Sequence, residues 1–136
     1  VAIVASIVEE ETARTDERPM VARLYLNRLA KGMKLQADPT VKFALGDFGL
    51  RRILARHLTV DSPYNTYKID GLPPGPIRIV EGSSIDAVLD APAHSYIYMC
   101  ARADFSGYHD FATSYDRHRI NAARYQRALD SRGIQR

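Results

Sequence analysis

Between Asp61 and Ile77 the chain reads Asp-Ser-Pro-Tyr-Asn-Thr-Tyr and, three residues later, Gly-Leu-Pro-Pro-Gly-Pro-Ile. No other segment limits the fold as strongly. Proline has no backbone N–H, fixes φ, and disfavours helix in the residue before it. Four of the seven prolines fall here, so neither a helix nor a central strand can run through the segment. A loop of this length in a compact domain is uncommon and is more often functional than decorative. It also divides the chain: helical patterns precede it, and a mixed helix-and-strand pattern follows.

Before the loop, residues 2–14 are predicted helical, with Val4, Ile7, Val8 and Glu11 at i, i+3, i+4 and i+7. A second helix is expected from Met20 to Lys31, with Pro19 suited to its first turn and Gly32 as its stop. Its stripe is Val21, Leu24, Tyr25, Arg28 and Leu29. Asp38-Pro39-Thr40 reads as an N-cap and first turn of a short helix ending near Gly46. Residues 50–58 are a further short-helix candidate. After the loop, Ser83-Ser84-Ile85-Asp86 resembles a capping arrangement opening a helix to Asp90, closed by Pro92. Residues 95–101 and 108–112 read as two strands of a hairpin turning at Ser106-Gly107. A last helix is expected over 115–131, stopped by Gly133. The class is α+β, mostly helical with a small antiparallel element, and 136 residues fit one domain.

With 46% apolar and 26% charged residues, disorder and fibrous repeats are excluded. No apolar run approaches the ~20 residues of a membrane-spanning helix. The start, Val1 to Val8, has no basic leader and runs directly into charged helical sequence, so it is not a signal peptide. It reads as a cut in or just before a helix, with more protein expected on its N-terminal side. A single cysteine, Cys100, allows no internal disulfide and reads as a small core residue. The net charge of +3 has one source: Ser114 to Arg136 holds six arginines against two aspartates, and the rest of the chain sums to −1. A solvated basic helix face is the plainest reading of this, with binding of some other anion as the alternative. No zinc-finger, RRM or KH signature accompanies it, so nucleic acid is not an expected partner.

Glu11 is the anomaly in the first helix. At about 100° per residue, Ile3, Val4, Ile7 and Val8 define an apolar arc with Glu11 near its centre. Glu9 falls roughly opposite, and Glu10 lies on the flank nearest Ile3. A carboxyl drawn toward a core loses hydration, which raises its pKa, and adjacent glutamates would raise it further. An acid that keeps its proton near neutrality suits general-acid chemistry. The same position also fits a half-exposed acid paired with Arg14 or Arg18.

The order of motifs is more specific. Ala5-Ser6-Ile7-Val8-Glu9-Glu10-Glu11-Thr12 resembles the catalytic helix of the YceG-like (MltG) endolytic murein transglycosylases. Leu26-Asn27-Arg28-Leu29, Gly32 to Val41, Ser62 to Tyr67, Gly71 to Ile77 and His109-Asp110-Phe111, with Tyr98 before it, follow in that family's order. The resemblance covers essentially the whole chain and implies a single catalytic domain, residues 1–136. It implies cleavage of peptidoglycan between MurNAc and GlcNAc, leaving 1,6-anhydro ends, by the second acid of a Glu-x-Glu-Thr stretch, here Glu11. Members usually carry Lys or Arg between the two acids. Glu10 stands there in this chain, which should push the pKa of Glu11 up.

The candidate glycan-binding residues are Gln36, Asp38, Tyr64, Asn65, Tyr67 and Glu9. Bland roles stand beside these: Asp38 as a helix cap, the tyrosines as loop braces, Asn27 and Arg28 as ties between helix and loop. Gly71 to Gly75 would set a backbone path, Glu9 would be an orienting acid, and His109 a structural histidine. No metal and no cofactor is implied. The implied partners are peptidoglycan glycan strands and peptidoglycan synthases, with stem peptides as the anion that the basic last helix could meet. The implied location is the outer face of the bacterial cytoplasmic membrane, held by an anchor and a LysM-like region that this chain does not contain. A water-adding muramidase would need a second carboxylate, with Asp38 and Asp61 as candidates. A non-catalytic glycan- or synthase-binding module is the other alternative.

Overall fold

The computed structural model describes residues 1–46 and 53–132. The elements are α1 Ala2–Glu11, α2 Arg18–Ala30, α3 Asp38–Leu45, a 3-10 turn at Ala55–Thr59, α4 Gly82–Leu89, β1 Tyr98–Ala101, β2 His109–Ala112 and α5 Tyr115–Ser131. The two strands pair antiparallel, Tyr98 opposite Ala112 and Ala101 opposite His109. The α+β class and the long last helix are as expected.

The central helix is α1, packed against α2, α3 and α4. Val4, Ala5, Ile7 and Val8 are buried and join Val21, Leu24, Tyr25, Leu35, Ile77 and Val88 in one core. Burial extends round the helix to Ser6 and Glu9. The expectation that Glu9 lies away from the core is therefore corrected. A wheel sees one apolar arc, but α4 packs on the opposite side as well.

α1 stops at Glu11, three residues short of the predicted end. Thr12 is extended, and its side chain and backbone make other bonds. Its hydroxyl donates to Glu17 Oε2 at 3.0 Å and accepts from the Arg14 N–H at 3.1 Å, while its carbonyl accepts from Arg18 Nε at 3.1 Å. Such local bonds compete with helical ones. The chain turns at once, and α2 begins at Arg18 with Pro19 in its first turn.

Two expected caps are also corrected. The residue before α3 is Ala37; Asp38 is already helical and its carboxylate accepts from the Tyr67 hydroxyl. The Ala37 N–H is taken instead by Thr66 Oγ1 at 2.8 Å. At α4 the cap position is Glu81, with no side-chain cap bond, and Ser84 turns inward to Glu9. The start of α5 is capped by Ser114, which accepts from the Arg117 N–H. Part of the helix expected at 50–58, and the stop expected at Gly133, lie outside the described residues. What is described of the former is the 3-10 turn.

The proline-rich loop is tied inward. Asn65 is fully buried, donates to the Leu58 and Val60 carbonyls at 2.9 and 2.8 Å, and accepts from the Tyr67 N–H at 3.0 Å. The Ile77 N–H donates to Ser6 on α1 at 3.0 Å. Asn65→Ala leaves three backbone groups without these bonds and is expected to destabilise the protein by about 2–4 kcal/mol, read as a lower denaturant midpoint. A midpoint unchanged from wild type would rule out this bracing role.

Candidate active site

The C-terminal end of α1 opens into a cleft of about 470 Å3 between α2, α3, the proline-rich loop, the hairpin and α5. Glu11, Gln36, Asp38 and Tyr67 all line it. Tyr64, Asn65 and Glu9 do not. Tyr64 packs on Phe43, ring centroids 4.8 Å apart, and Asn65 serves the backbone of its own loop. Asp61 is exposed and outside the cleft.

Glu11 is the last residue of α1, so its side chain continues the apolar arc past the point where the core ends. The side chain is 17% exposed. Oε2 is buried and, among the described residues, has no hydrogen-bond partner. Burial pushes its pKa up to about 7 from 4.5. The Asp38 charge adds to that rise, while His109, the Tyr25 hydroxyl and Lys42 oppose it.

Glu9 and Glu10 supply none of the like charge that their place in the sequence suggests, because both face Arg78. Its Nε lies 2.6 Å from Glu9 Oε2, and its Nη1 lies 2.8 Å from Glu10 Oε1. Nor is Glu11 paired with Arg14 or Arg18. Arg14 donates to the Ser106 carbonyl, and Arg18 serves Thr12, Ser84 and Glu81.

Glu9 and Glu11 sit two residues apart in opposite environments. Burial alone would raise Glu9, but the Glu81 N–H, the Ser84 hydroxyl and the Arg78 and Arg18 charges outweigh it and hold its pKa below the ordinary value. Glu9 is the charged structural acid, and Glu11 is the acid that holds a proton. Their environments thus push the two carboxyls to opposite sides of the ordinary value.

The rest of the cleft is polar and fixed. Burial raises Asp38, against the Tyr67 hydroxyl 2.5 Å away and Lys42. Burial, then the charge of Asp38, holds the Tyr67 phenol well above its usual value, so it is a donor. Gln36 has φ of +50° and is exposed into the cleft. A non-glycine residue held in the left-handed region marks a backbone constrained by its surroundings, here by its N–H bond to the Thr66 carbonyl. Asn27 and Arg28 tie α2 to the segment before β1 through the His94, Tyr96 and Ile97 carbonyls.

Sequence reasoning missed Glu17. It stands in an Asp-Glu-Arg-Pro break that reads only as a helix boundary. Its partner is His109, 92 residues away. That hairpin is pinned to the α1–α2 turn by Arg14 on Ser106 and by the Tyr108 hydroxyl on Asp16.

Fold and cleft define a class: a small α+β domain built round a glutamic acid that stays protonated into the neutral range. The chain belongs to the YceG-like family, whose model matches residues 1–124. It is 44% identical over 100 residues to an endolytic murein transglycosylase of Bacillus subtilis, covering 74% of this chain and 28% of that protein. It is 40% identical over 89 residues to one of Streptococcus pneumoniae, covering 62% of this chain and 16% of that protein. A crystal structure of a yceG-like protein from Listeria monocytogenes superposes with a TM-score of 0.80 at 42% identity, over 86% of this chain and 38% of that one. This chain thus spans less than a third of the two curated relatives.

Proposed function

We propose that this chain is the catalytic domain of an endolytic murein transglycosylase, with Glu11 as acid and then base. The observation that carries this reading is the buried, unpartnered Oε2 of a carboxyl raised to about 7, placed in a cleft. The names of the Bacillus and Streptococcus relatives support the substrate class.

On this reading protonated Glu11 gives its proton to the glycosidic oxygen as the bond from the MurNAc anomeric carbon to that oxygen breaks. Positive charge builds at the sugar. The Glu11 carboxylate then takes the proton of the C6 hydroxyl of the same MurNAc, and that oxygen bonds to the anomeric carbon. A 1,6-anhydro ring closes, no water enters, and Glu11 ends protonated as it began. An internal nucleophile brings high effective molarity, so no second carboxylate is needed to activate water. Gln36, Asp38 and Tyr67 supply hydrogen bonds to the glycan. The full-length protein would act on peptidoglycan from the outer face of the cytoplasmic membrane, with peptidoglycan synthases as candidate partners. Among the described residues no helix is long and apolar enough to cross a membrane.

Asp38 keeps one rival reading specific, because a second carboxyl does line the cleft. Mass spectrometry of digested peptidoglycan separates the two. Anhydro-MurNAc ends are expected from the wild type. Reducing ends would mean that water attacks and would overturn the transglycosylase assignment.

A further inference from the structure

We propose that Glu17 and His109 form a positioning pair for Glu11, with Glu17 fixing the proton of the imidazole and the imidazole orienting Glu11 through Oε1. The inference rests on the reading of Glu11 as the acid, and extends it to two residues outside the reacting atoms.

Glu17 is 6% exposed and the His109 side chain 8%. Three donors converge on Glu17: the His109 N–H on Oε1 at 2.6 Å, and the His109 ring and the Thr12 hydroxyl on Oε2 at 2.9 and 3.0 Å. A carboxylate only accepts. The ring must therefore donate from Nδ1, whether it is neutral or charged. Nε2 is left facing Glu11 Oε1 at 3.7 Å. One oxygen of Glu11 is thus met by a ring whose state is set behind it, while the other, Oε2, is buried and, among the described residues, makes no hydrogen bond.

The remaining groups acting on Glu11 do not duplicate this. Tyr25 comes from α2, and Asp38 and Lys42 from α3. Glu10, next on α1, faces Arg78. Of the basic groups among these, only the imidazole can itself gain or lose a proton in the neutral range. Burial alone would lower His109, but Glu17, Glu11 and Asp110 outweigh it and favour the imidazolium. That cation stabilises the Glu11 carboxylate at the moment it has given up its proton, an interaction stronger in the transition state than before it. Neither His109 nor Glu17 gains or loses a proton over the cycle.

The test is the pH profile of kcat/KM on glycan strands, using full-length protein. With either His109→Gln or Glu17→Gln, Glu11 loses its facing cation. Its basic limb should move up by about one pH unit. The double variant should move no further than His109→Gln alone, because both changes remove one interaction. Glu17→Gln keeps shape and one acceptor if the histidine variant fails to fold. An NMR titration of the Glu11 carboxyl should show the same upward displacement without any turnover. Unmoved limbs and midpoints, or displacements that add in the double variant, would overturn the pair while leaving Glu11 as the acid. Persistence of cleavage in Glu11→Gln would instead remove the reading beneath it.

Discussion

Glu11→Gln is expected to lose glycan cleavage and, at pH 8, to be more stable than the wild type. Loss of a general acid costs roughly 10²–10⁴ in rate. Here the same group must also act as base, so residual activity should fall at or below the low end of detection, with glycan binding retained. In the wild type, cleavage should decline above pH about 7 as Glu11 ionises. The stability gain follows from the same pKa. The folded state holds this proton up to about 7, whereas the ordinary value is 4.5. Between those values the unfolded chain has fewer protons than the folded one, so stability falls as pH rises through that window and is level above it. The amide has no such dependence. The gap between variant and wild type should be near zero below pH 4.5 and plateau above 7, at most about 3 kcal/mol. Paired thermal melts at pH 4 and pH 8 measure it. A variant less stable than wild type at pH 8 would mean that Glu11 is held charged for structural reasons.

This trade of stability for a protonated acid is partly legible in the sequence. The position of Glu11 on an apolar arc is visible there because helical periodicity is local information. So are α2, α5 and the hairpin, whose strands and turn are adjacent in sequence. What is not legible depends on contacts between distant segments. Glu9 reads as solvent-facing, yet α4, more than seventy residues on, packs over it. Asp38 reads as a cap because its competing partner, Tyr67, lies 29 residues away. Asn65 sits in the most distinctive motif of the chain and proves to be a loop clamp, since a motif can be specific for backbone bonding as easily as for ligand. Glu17 has no local signal at all, as its role is created by a hairpin near the other end. Residue pattern sets which groups could do chemistry, and long-range packing decides which of them face the cleft.

Glu9→Ala is expected to be strongly destabilising, and its pH dependence should run opposite to that of Glu11. Glu9 Oε1 accepts from the Glu81 N–H and the Ser84 hydroxyl, both at 2.8 Å, and Oε2 faces Arg78 at 2.6 Å. Arg18, itself 6% exposed, donates to the same Ser84. Removing the carboxylate leaves a buried hydroxyl and a backbone N–H without their acceptor, and leaves Arg78, 40% exposed, with Glu10 alone. Leaving those two donors unpaired costs roughly 2–4 kcal/mol, a large part of the ~5–15 kcal/mol that holds a domain folded. Because the folded-state pKa of Glu9 is depressed, the stabilisation is fully present above the ordinary value of 4.5 and is lost as pH falls through the lower folded value. Wild type and variant should therefore differ most near neutrality and converge in acid. Glu9→Gln keeps one acceptor for Ser84 and Glu81 and should lose less. Chemical denaturation from roughly pH 3 to pH 8 provides the measurement. A Glu9→Ala protein as stable as the wild type near neutrality would overturn this structural role.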